Sequence, residues 1–234
     1  MNGEKLENHE KKQQPVRTII LDTPILDENN RVAAENRAFM QASGVLVLNL
    51  ISSPGSGKTT LLVETLQALQ DELRCAVIEG DQHTDRDARR IAATGVPVVQ
   101  INTRQSCHLD AFQVQRALQE LKPQELDVLF IENVGNLVCP AEFDLGESEK
   151  VVLMSITEGE DKPVKYPLAF HLASVLVLTK MDLLPYLRFD LETCKAFAHQ
   201  VNPHQDILET SSFRPGGIEP WLNWLSVKLT KPEK

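Results

Sequence analysis

The sequence lacks any long apolar segment. No run approaches the roughly 20 residues that a membrane-spanning helix requires, and the charged N-terminus, with Glu4, Glu7, Lys11 and Lys12, lacks the apolar region of a signal peptide. We therefore expect a cytoplasmic protein that has no membrane partner.

Positive charge is also scarce. The chain has 24 Lys and Arg residues against 33 Asp and Glu residues, which gives a net charge of −9. Because binding to a phosphate backbone requires a positive surface, this balance argues against a nucleic-acid partner.

Cysteine is sparse and irregularly spaced. The chain has 4 cysteines, Cys75, Cys107, Cys139 and Cys194, and their spacing matches no disulfide framework. Structural disulfides are rare in a reducing compartment. The four thiols are therefore expected to be packing groups or metal ligands.

The 234 residues fit one α/β domain and a tail. Residues 1–17 are polar without periodicity, and we assign residues 1–26 to a disordered tail and residues 27–234 to the domain. An amphipathic helix is predicted from Asp27 to Ala42. Its apolar face needs a partner, which is either this domain or a second copy.

A glycine-rich turn at 52–60 lies between an apolar strand pattern and a helical pattern. Such a phosphate-binding loop surrounds phosphate oxygens with backbone N–H groups, while Lys58 reaches the β- and γ-phosphates and the Thr59 hydroxyl ligates Mg²⁺. Ser52 stands where the usual pattern begins with glycine. We expect Lys58 to be an exposed loop charge that contributes little to the fold. The predicted phosphate-binding residues are Pro54, Gly55, Ser56, Gly57, Lys58, Thr59 and Thr60.

Short apolar segments alternate with helical patterns along the chain, which predicts a doubly wound, mostly parallel α/β sheet with ligands at the carboxyl ends of its strands. The predicted strands are 45–51, 74–79, 96–101, 126–132, 150–157, 174–178 and 206–209.

Two carboxylates follow predicted strands near the phosphate loop. Asp81 comes just after the second strand, and Glu132 ends the fourth. Such groups hold or sense Mg²⁺ in nucleotide-binding folds, and we predict that Lys58, Asp81 and Glu132 form the catalytic set. Asp81 has an alternative interpretation as an ordinary turn residue.

The sixth predicted strand leads into Thr179-Lys180-Met181-Asp182. In the guanine motif Asn-Lys-x-Asp, the aspartate accepts hydrogen bonds from guanine N1–H and N2–H₂, and the lysine stem lies along the base. We therefore assign Lys180, Asp182 and the following-loop residue Ser211 to base binding. Thr179 replaces the asparagine, which leaves the loop-bracing contact open. Later, Trp221, Trp224 and Leu225 are expected to be core residues.

Sulfur and imidazole ligands occur at two places. Cys107 and His108 are predicted to begin a helix that runs to Leu121, where a thiol pKa would be lowered, and Cys139 follows Glu132. This set suits Zn²⁺ or Ni²⁺ but is one ligand short of a tetrahedron. The alternative is a capping cysteine, a solvated histidine and a buried cysteine. Cys75 and Cys194 are interpreted as packing residues.

Together these motifs resemble the HypB family, the GTPase accessory proteins of [NiFe]-hydrogenase maturation. The resemblance covers about residues 28 to 229, and its most specific stretches contain Cys107 and Cys139. The motifs that carry it are Ser52–Thr60, Glu79–Asp81, Cys107–Ala111, Glu132–Pro140 and Thr179–Asp182.

The resemblance implies a SIMIBI-type P-loop G domain that binds GTP or GDP with Mg²⁺ and dimerises with GTP. It further implies a Ni²⁺ or Zn²⁺ site formed by the residues matching Cys107, His108 and Cys139 at the dimer interface. The implied partners are a second copy, a nickel-insertion protein and a hydrogenase large-subunit precursor. The implied function is GTP-driven delivery of nickel to that precursor.

Several positions depart from the family pattern. The tail has no Cys and one His, His9, so nickel storage there is not expected. Thr179 replaces Asn, Ser212-Phe213 replaces Ala-Lys, and Arg104 replaces a common Gly.

Three alternative functions make different demands on the sequence or the activity. A urease-type nickel accessory GTPase would carry a Cys-Pro-His ligand motif, which this sequence lacks. A small-molecule P-loop kinase would have no use for Lys180-Met181-Asp182. A nucleotide-binding scaffold without turnover would release no phosphate.

Overall fold

The computed structural model of the protein describes residues 23–230. The predicted tail at 1–26 therefore lies mostly outside the described residues. The first helix, α1 (Thr23–Ala42), begins before the predicted Asp27. Residues 23–26 thus belong to a helix, so the predicted end of the tail was wrong.

The described chain forms one sheet of seven parallel strands in the order β3-β2-β4-β1-β5-β6-β7. Every predicted strand is present, and the doubly wound parallel sheet is confirmed. The strands are β1 (Leu46–Ser52), β2 (Cys75–Asp81), β3 (Val98–Asn102), β4 (Val128–Glu132), β5 (Glu149–Ser155), β6 (Val175–Thr179) and β7 (Asp206–Glu209).

Helices connect these strands and cover both faces of the sheet. After α1 come α2 (Lys58–Leu69), α3 (Arg86–Ala92), α4 (Ala111–Leu121), α5 (Cys139–Glu142), α6 (Lys162–Lys165), α7 (Pro167–Leu172), α8 (Leu191–Val201) and α9 (Glu219–Thr230), with short 3₁₀ helices at Pro123–Glu125 and Met181–Tyr186. No helix between residues 23 and 230 has the length and apolar character to cross a membrane.

Alternate residues of each central strand face opposite cores. In β4, Val128 and Phe130 pack with α2, α3 and α9, whereas Leu129 and Ile131 pack with α1 and α4. This two-sided burial explains why the strands have nearly continuous apolar sequences. Trp221, Trp224 and Leu225 are buried in the first core, as predicted.

Helix α1 packs against its own domain, which answers a question that the sequence left open. Its residues Val32 and Met40 are 1% exposed. The buried Asn36 side-chain amide donates to the backbone oxygens of Ala111, at 2.9 Å, and Leu145, at 3.1 Å. These bonds connect α1 to the start of α4 and to the loop before β5.

Helix α4 begins at Ala111 rather than at the predicted His108. Asp110 is its N-cap and forms a capping box with Gln113, because each side chain accepts a hydrogen bond from the other's backbone N–H. This reciprocal pair satisfies two otherwise free amide groups and determines where the helix starts. Cys107 and His108 therefore lie in the loop that precedes α4.

Candidate nucleotide and metal site

An open cleft of about 620 Å³ lies at the carboxyl ends of the central strands. The loops that follow β1, β2, β4 and β6 form its walls, as expected for a doubly wound sheet. Of the predicted residues, those that line it are Pro54, Gly55, Gly57, Lys58, Thr59, Thr60, Asp81, Glu132 and Lys180. Ser56, Asp182 and Ser211 contact neighbouring loops instead, as described below.

The glycine-rich loop has the backbone that close approach to phosphate requires. Gly55 and Gly57 have φ angles of 75° and 97°, in the left-handed region that favours glycine. Gly57 is also the N-cap of α2, which begins at Lys58. The unpaired amide groups and positive dipole end of that helix therefore lie at the cleft, where they can bind an anion.

Lys58 lies within this loop and is buried, with 9% of its surface exposed. Its Nζ donates to Ser52 Oγ at 2.9 Å, so the serine at the usual glycine position holds the lysine. Burial lowers the pKa of Lys58, an effect that nearby Glu132 opposes. The expectation of an exposed loop charge was wrong, because the loop encloses the lysine.

Glu132 lies beside the phosphate loop. The Thr59 hydroxyl donates to its Oε1 at 2.7 Å, and its buried Oε2 has no hydrogen-bond partner among the described residues. Burial raises the pKa of Glu132, while Lys58 and Thr59 oppose that rise. A hydroxyl and a carboxylate oxygen with spare acceptor capacity are suitable ligands for Mg²⁺.

Asp81 ends β2 and lines the cleft, and it also forms a turn. Its Oδ1 accepts hydrogen bonds from the backbone N–H groups of His83, at 2.7 Å, and Thr84, at 2.6 Å. The interpretation as a turn residue is therefore confirmed, and the role of Asp81 towards Mg²⁺ stays a prediction. The carboxylate shapes the loop after β2 and faces the cleft.

Two cleft residues were missed by the sequence analysis. Glu79 is paired in register with Glu132 on the neighbouring strand, and burial together with Glu132 and Asp81 raises its pKa to about 8. Arg90 of α3 donates to the Thr60 hydroxyl at 3.1 Å. Glu79 belongs to a motif that carries the family resemblance, but no local pattern gives either residue a role at the cleft, because their position there depends on the spatial order of the strands.

The predicted base-binding loop is attached to the phosphate loop. The Thr179 hydroxyl donates to the Ser56 backbone oxygen at 2.6 Å, and Lys180 Nζ donates to the Gly55 oxygen at 2.7 Å. Thr179 thus provides the bracing contact that the absence of asparagine had left open. The Ser211 hydroxyl donates to Asp182 Oδ1 at 2.6 Å, which orients the carboxylate.

The three predicted metal ligands lie together although they come from separate loops. The Sγ atoms of Cys107 and Cys139 are 2.9 Å apart, and Cys107 Sγ lies 3.8 Å from His108 Nδ1. All three offer ligand atoms within 4.8 Å of one another, and all are partly exposed. This proximity argues against the alternative of three unrelated residues. Two sulfurs and one imidazole nitrogen suit Ni²⁺ or Zn²⁺.

Neighbouring groups shift the pKa values of two of these ligands. A hydrogen bond with Cys107, together with burial, raises the pKa of Cys139 and so favours its neutral thiol. Burial lowers the pKa of His108, which favours the neutral imidazole that binds metals. Its ring stacks on Phe143, with ring centres 3.9 Å apart.

The other two cysteines are packing residues, as predicted. Cys75 and Cys194 are buried, and burial raises their thiol pKa values to about 11 and about 12. Neither is a reactive thiolate at neutral pH.

Arg104 lies just before the metal ligands and has a φ angle of 52°, in the region that favours glycine. A glycine, which is common at this position in the family that the sequence resembles, would adopt this conformation without strain. In this chain the Arg104 N–H donates to the Asn102 side-chain oxygen at 3.0 Å, which supports the tight turn.

Both loops that carry metal ligands contact the nucleotide cleft directly. A Cβ atom at Gly135 would lie 3.1 Å from Pro54, so the loop leading to Cys139 packs on the phosphate loop. The Leu109 side chain packs on Gly80, where a Cβ atom would lie 2.8 Å away. A movement of either cleft wall would therefore displace a loop that carries a metal ligand.

Comparisons with known proteins agree with this geometry. The family model described as "CobW/HypB/UreG, nucleotide-binding domain" matches residues 46–209. The chain is 56% identical to the hydrogenase maturation factor HypB of Escherichia coli (strain K12), a match that covers 91% of this chain and 73% of the relative. It is 44% identical to the hydrogenase/urease maturation factor HypB of Helicobacter hepaticus, over 90% of this chain and 87% of the relative.

Solved structures give the same result. The crystal structure of HypB from Helicobacter pylori in complex with nickel matches with a TM-score of 0.82 and 39% identity, covering 86% of this chain and 95% of that chain. HypB from Archaeoglobus fulgidus also matches with a TM-score of 0.82, at 37% identity, over 88% of this chain and 100% of that chain. The chain therefore belongs to the HypB family of hydrogenase maturation factors, within the CobW/HypB/UreG group of nucleotide-binding domains.

Proposed function

We propose that the protein is a GTP-hydrolysing metallochaperone that delivers nickel to a [NiFe]-hydrogenase precursor. One observation carries this proposal. The loops that bear Cys107 and Cys139 pack directly on the walls of the nucleotide cleft, through Leu109 on Gly80 and through Gly135 on Pro54. A change at the phosphates can thereby alter the distances between the metal ligands.

The residues predicted from the sequence have distinct chemical roles in this proposal. The amide groups at the start of α2 and the Lys58 ammonium bind the β- and γ-phosphates. Thr59, Asp81 and Glu132 would hold Mg²⁺, which neutralises phosphate charge when it is bound. The Asp182 carboxylate, oriented by Ser211, accepts hydrogen bonds from guanine, and Lys180 lies along the base.

The metal site favours a homodimer. One chain offers three clustered ligands, Cys107, His108 and Cys139, whereas Ni²⁺ and Zn²⁺ in such sites take four or more. A two-fold interface that brings two sets together supplies the missing ligands. Exposed apolar side chains lie at the start of α5, which begins at Cys139, and on α7, which contacts α5: Val138 is 50% exposed, Leu168 43% and Leu172 44%. These features support a GTP-dependent dimer that has the metal at its interface.

The cargo and the partners follow from the relatives. The Helicobacter pylori HypB structure contains nickel, and the Escherichia coli relative is named as a hydrogenase maturation factor. We therefore assign nickel as the cargo and a hydrogenase large-subunit precursor, with its nickel-insertion protein, as the recipient. Urease maturation is the second candidate, because the Helicobacter hepaticus relative is named for both enzymes.

Nickel transfer to a chromogenic chelator tests the proposal. Protein loaded with one equivalent of Ni²⁺ should release it faster with Mg²⁺ and GTP than with a non-hydrolysable analogue, and phosphate release should accompany the transfer. ATP should have little effect, because Asp182 is matched to guanine. A protein that releases no phosphate from GTP would be a nucleotide-binding scaffold, and equal release of nickel with and without hydrolysis would refute the chaperone cycle.

A further inference from the structure

Phe213 is an exposed aromatic residue that none of the roles above uses. It is 80% exposed, whereas the tryptophans Trp221 and Trp224 on the nearby α9 are largely buried. A large apolar side chain with so much surface in water loses the hydrophobic contribution that burial would give. A ligand that covered the ring would recover that contribution.

Its position in the chain connects it to the base-reading carboxylate. Ser211, which donates to Asp182 Oδ1 at 2.6 Å, precedes Phe213 by one intervening residue. Consecutive Cα atoms are about 3.8 Å apart, so the Phe213 backbone lies within about 8 Å of the Ser211 backbone. An aromatic ring attached there can reach a base that is hydrogen-bonded to Asp182.

The loop that carries Phe213 is closed by hydrogen bonds. Ser211 N donates to the Gly217 oxygen at 2.8 Å, and Gly217 N donates to the Arg214 oxygen at 2.9 Å. Only glycine fits at 217, because a Cβ atom there would lie 2.0 Å from the Ser211 oxygen. Arg214 also donates to the Asp182 backbone oxygen at 3.3 Å, so the loop and the base motif are held together.

We propose that Phe213 is a base-contacting residue whose ring stacks on the face of the purine that Asp182 reads. The proposal rests on the assignment of Asp182 to base binding. Stacking requires only a π-face, and every base has one. Phe213 thus contributes affinity for nucleotides of any base, whereas Asp182 provides the selection for guanine. The backbone that carries the ring is preorganised, because hydrogen bonds close the loop before the nucleotide binds.

Nucleotide affinities of Phe213 variants test this role. Phe213→Ala should weaken GTP and GDP binding by about tenfold and by the same factor, since base stacking has effects of this order and is independent of the γ-phosphate. Phe213→Tyr should retain the affinity of the unmodified protein, and Phe213→Leu, which has no π-face, should not. Tyr186→Ala is the matched control, because Tyr186 is 84% exposed on the 3₁₀ helix after the same motif but outside the closed loop.

A tryptophan reporter gives a direct optical readout. In Phe213→Trp protein, the new indole should emit as an exposed fluorophore and be quenched when GDP binds, whereas a Tyr186→Trp indole should show little quenching. A merely structural role for Phe213 would not produce this difference.

Failure of the inference and failure of the guanine assignment give different results. If the protein prefers GTP to ATP but Phe213→Ala binds GTP within twofold of wild type and Phe213→Trp is not quenched, the stacking role is wrong and the guanine assignment stands. If the protein binds ATP as well as GTP but Phe213→Ala weakens both equally, the guanine assignment is wrong and the stacking role stands.

Discussion

Among the individual side chains, Asp182 allows the sharpest test of substrate choice. Asp182→Asn should shift preference from guanine toward xanthine nucleotides, because an amide N–H can donate to the C2 carbonyl of xanthine while the amide oxygen still accepts from Ser211. Competition between GTP, XTP and ATP for a fluorescent nucleotide measures the change. Asp71→Asn, at an exposed carboxylate just after α2, should leave the preference unaltered. A protein that already binds ATP as well as GTP would contradict the base-reading role.

The burial of Lys58 changes the effect that its removal is expected to have on stability. Lys58→Ala should abolish GTP hydrolysis, measured as phosphate release. The lysine is buried near Glu132, so its removal leaves an uncompensated carboxylate and should also lower the stability of the nucleotide-free protein by about 1–3 kcal/mol. Adding Glu132→Gln should restore part of that stability but none of the activity. Full hydrolysis by Lys58→Ala protein would remove Lys58 from the catalytic set.

Among the secondary-structure elements, α1 is attached to the domain by buried polar bonds as well as by its apolar face. Asn36→Ala should lower the free energy of unfolding by about 1–3 kcal/mol, because the backbone oxygens of Ala111 and Leu145 lose their buried donor. Asn30→Ala, at an exposed position of the same helix, should change it by less than about 0.5 kcal/mol. Urea denaturation distinguishes the two variants. Equal stability of the two would mean that α1 is not an integral part of the domain.

The elements that could be predicted from the sequence are those with strong local signals. The apolar strand segments and the glycine-rich loop before α2 have such signals, and all of them are present. The capping box at Asp110 is also local, but the Cys107-His108 pair was mistaken for the helix start. Glu79 and Arg90 could not be assigned, because their position at the cleft depends on β2 lying beside β4, an order that no stretch of sequence encodes.

The proposed dimer can be tested at the exposed apolar side chains of α7. The double variant Leu168→Asp, Leu172→Asp should prevent GTP-dependent dimerisation, because both side chains are more than 40% exposed on a helix that contacts α5, where Cys139 lies. It should still bind GTP as a monomer. Val227→Asp is the control, since Val227 is 52% exposed on α9, which covers the other face of the sheet. Native mass spectrometry with and without GTP reports both outcomes, and a persistent dimer in the double variant would place the interface elsewhere.

At the scale of the whole molecule, we propose that the bound nucleotide controls the metal site. The most direct measurement is the Ni²⁺ dissociation constant of the same protein with Mg²⁺ and a non-hydrolysable GTP analogue, with GDP, and without nucleotide. Because binding linkage is reciprocal, the factor by which the analogue changes Ni²⁺ affinity must equal the factor by which Ni²⁺ changes affinity for the analogue. We expect equal factors that differ from one, and we expect the effect to be lost in Cys139→Ala protein, which should still bind the analogue normally without metal. The same Ni²⁺ affinity in all three nucleotide states would contradict the proposal.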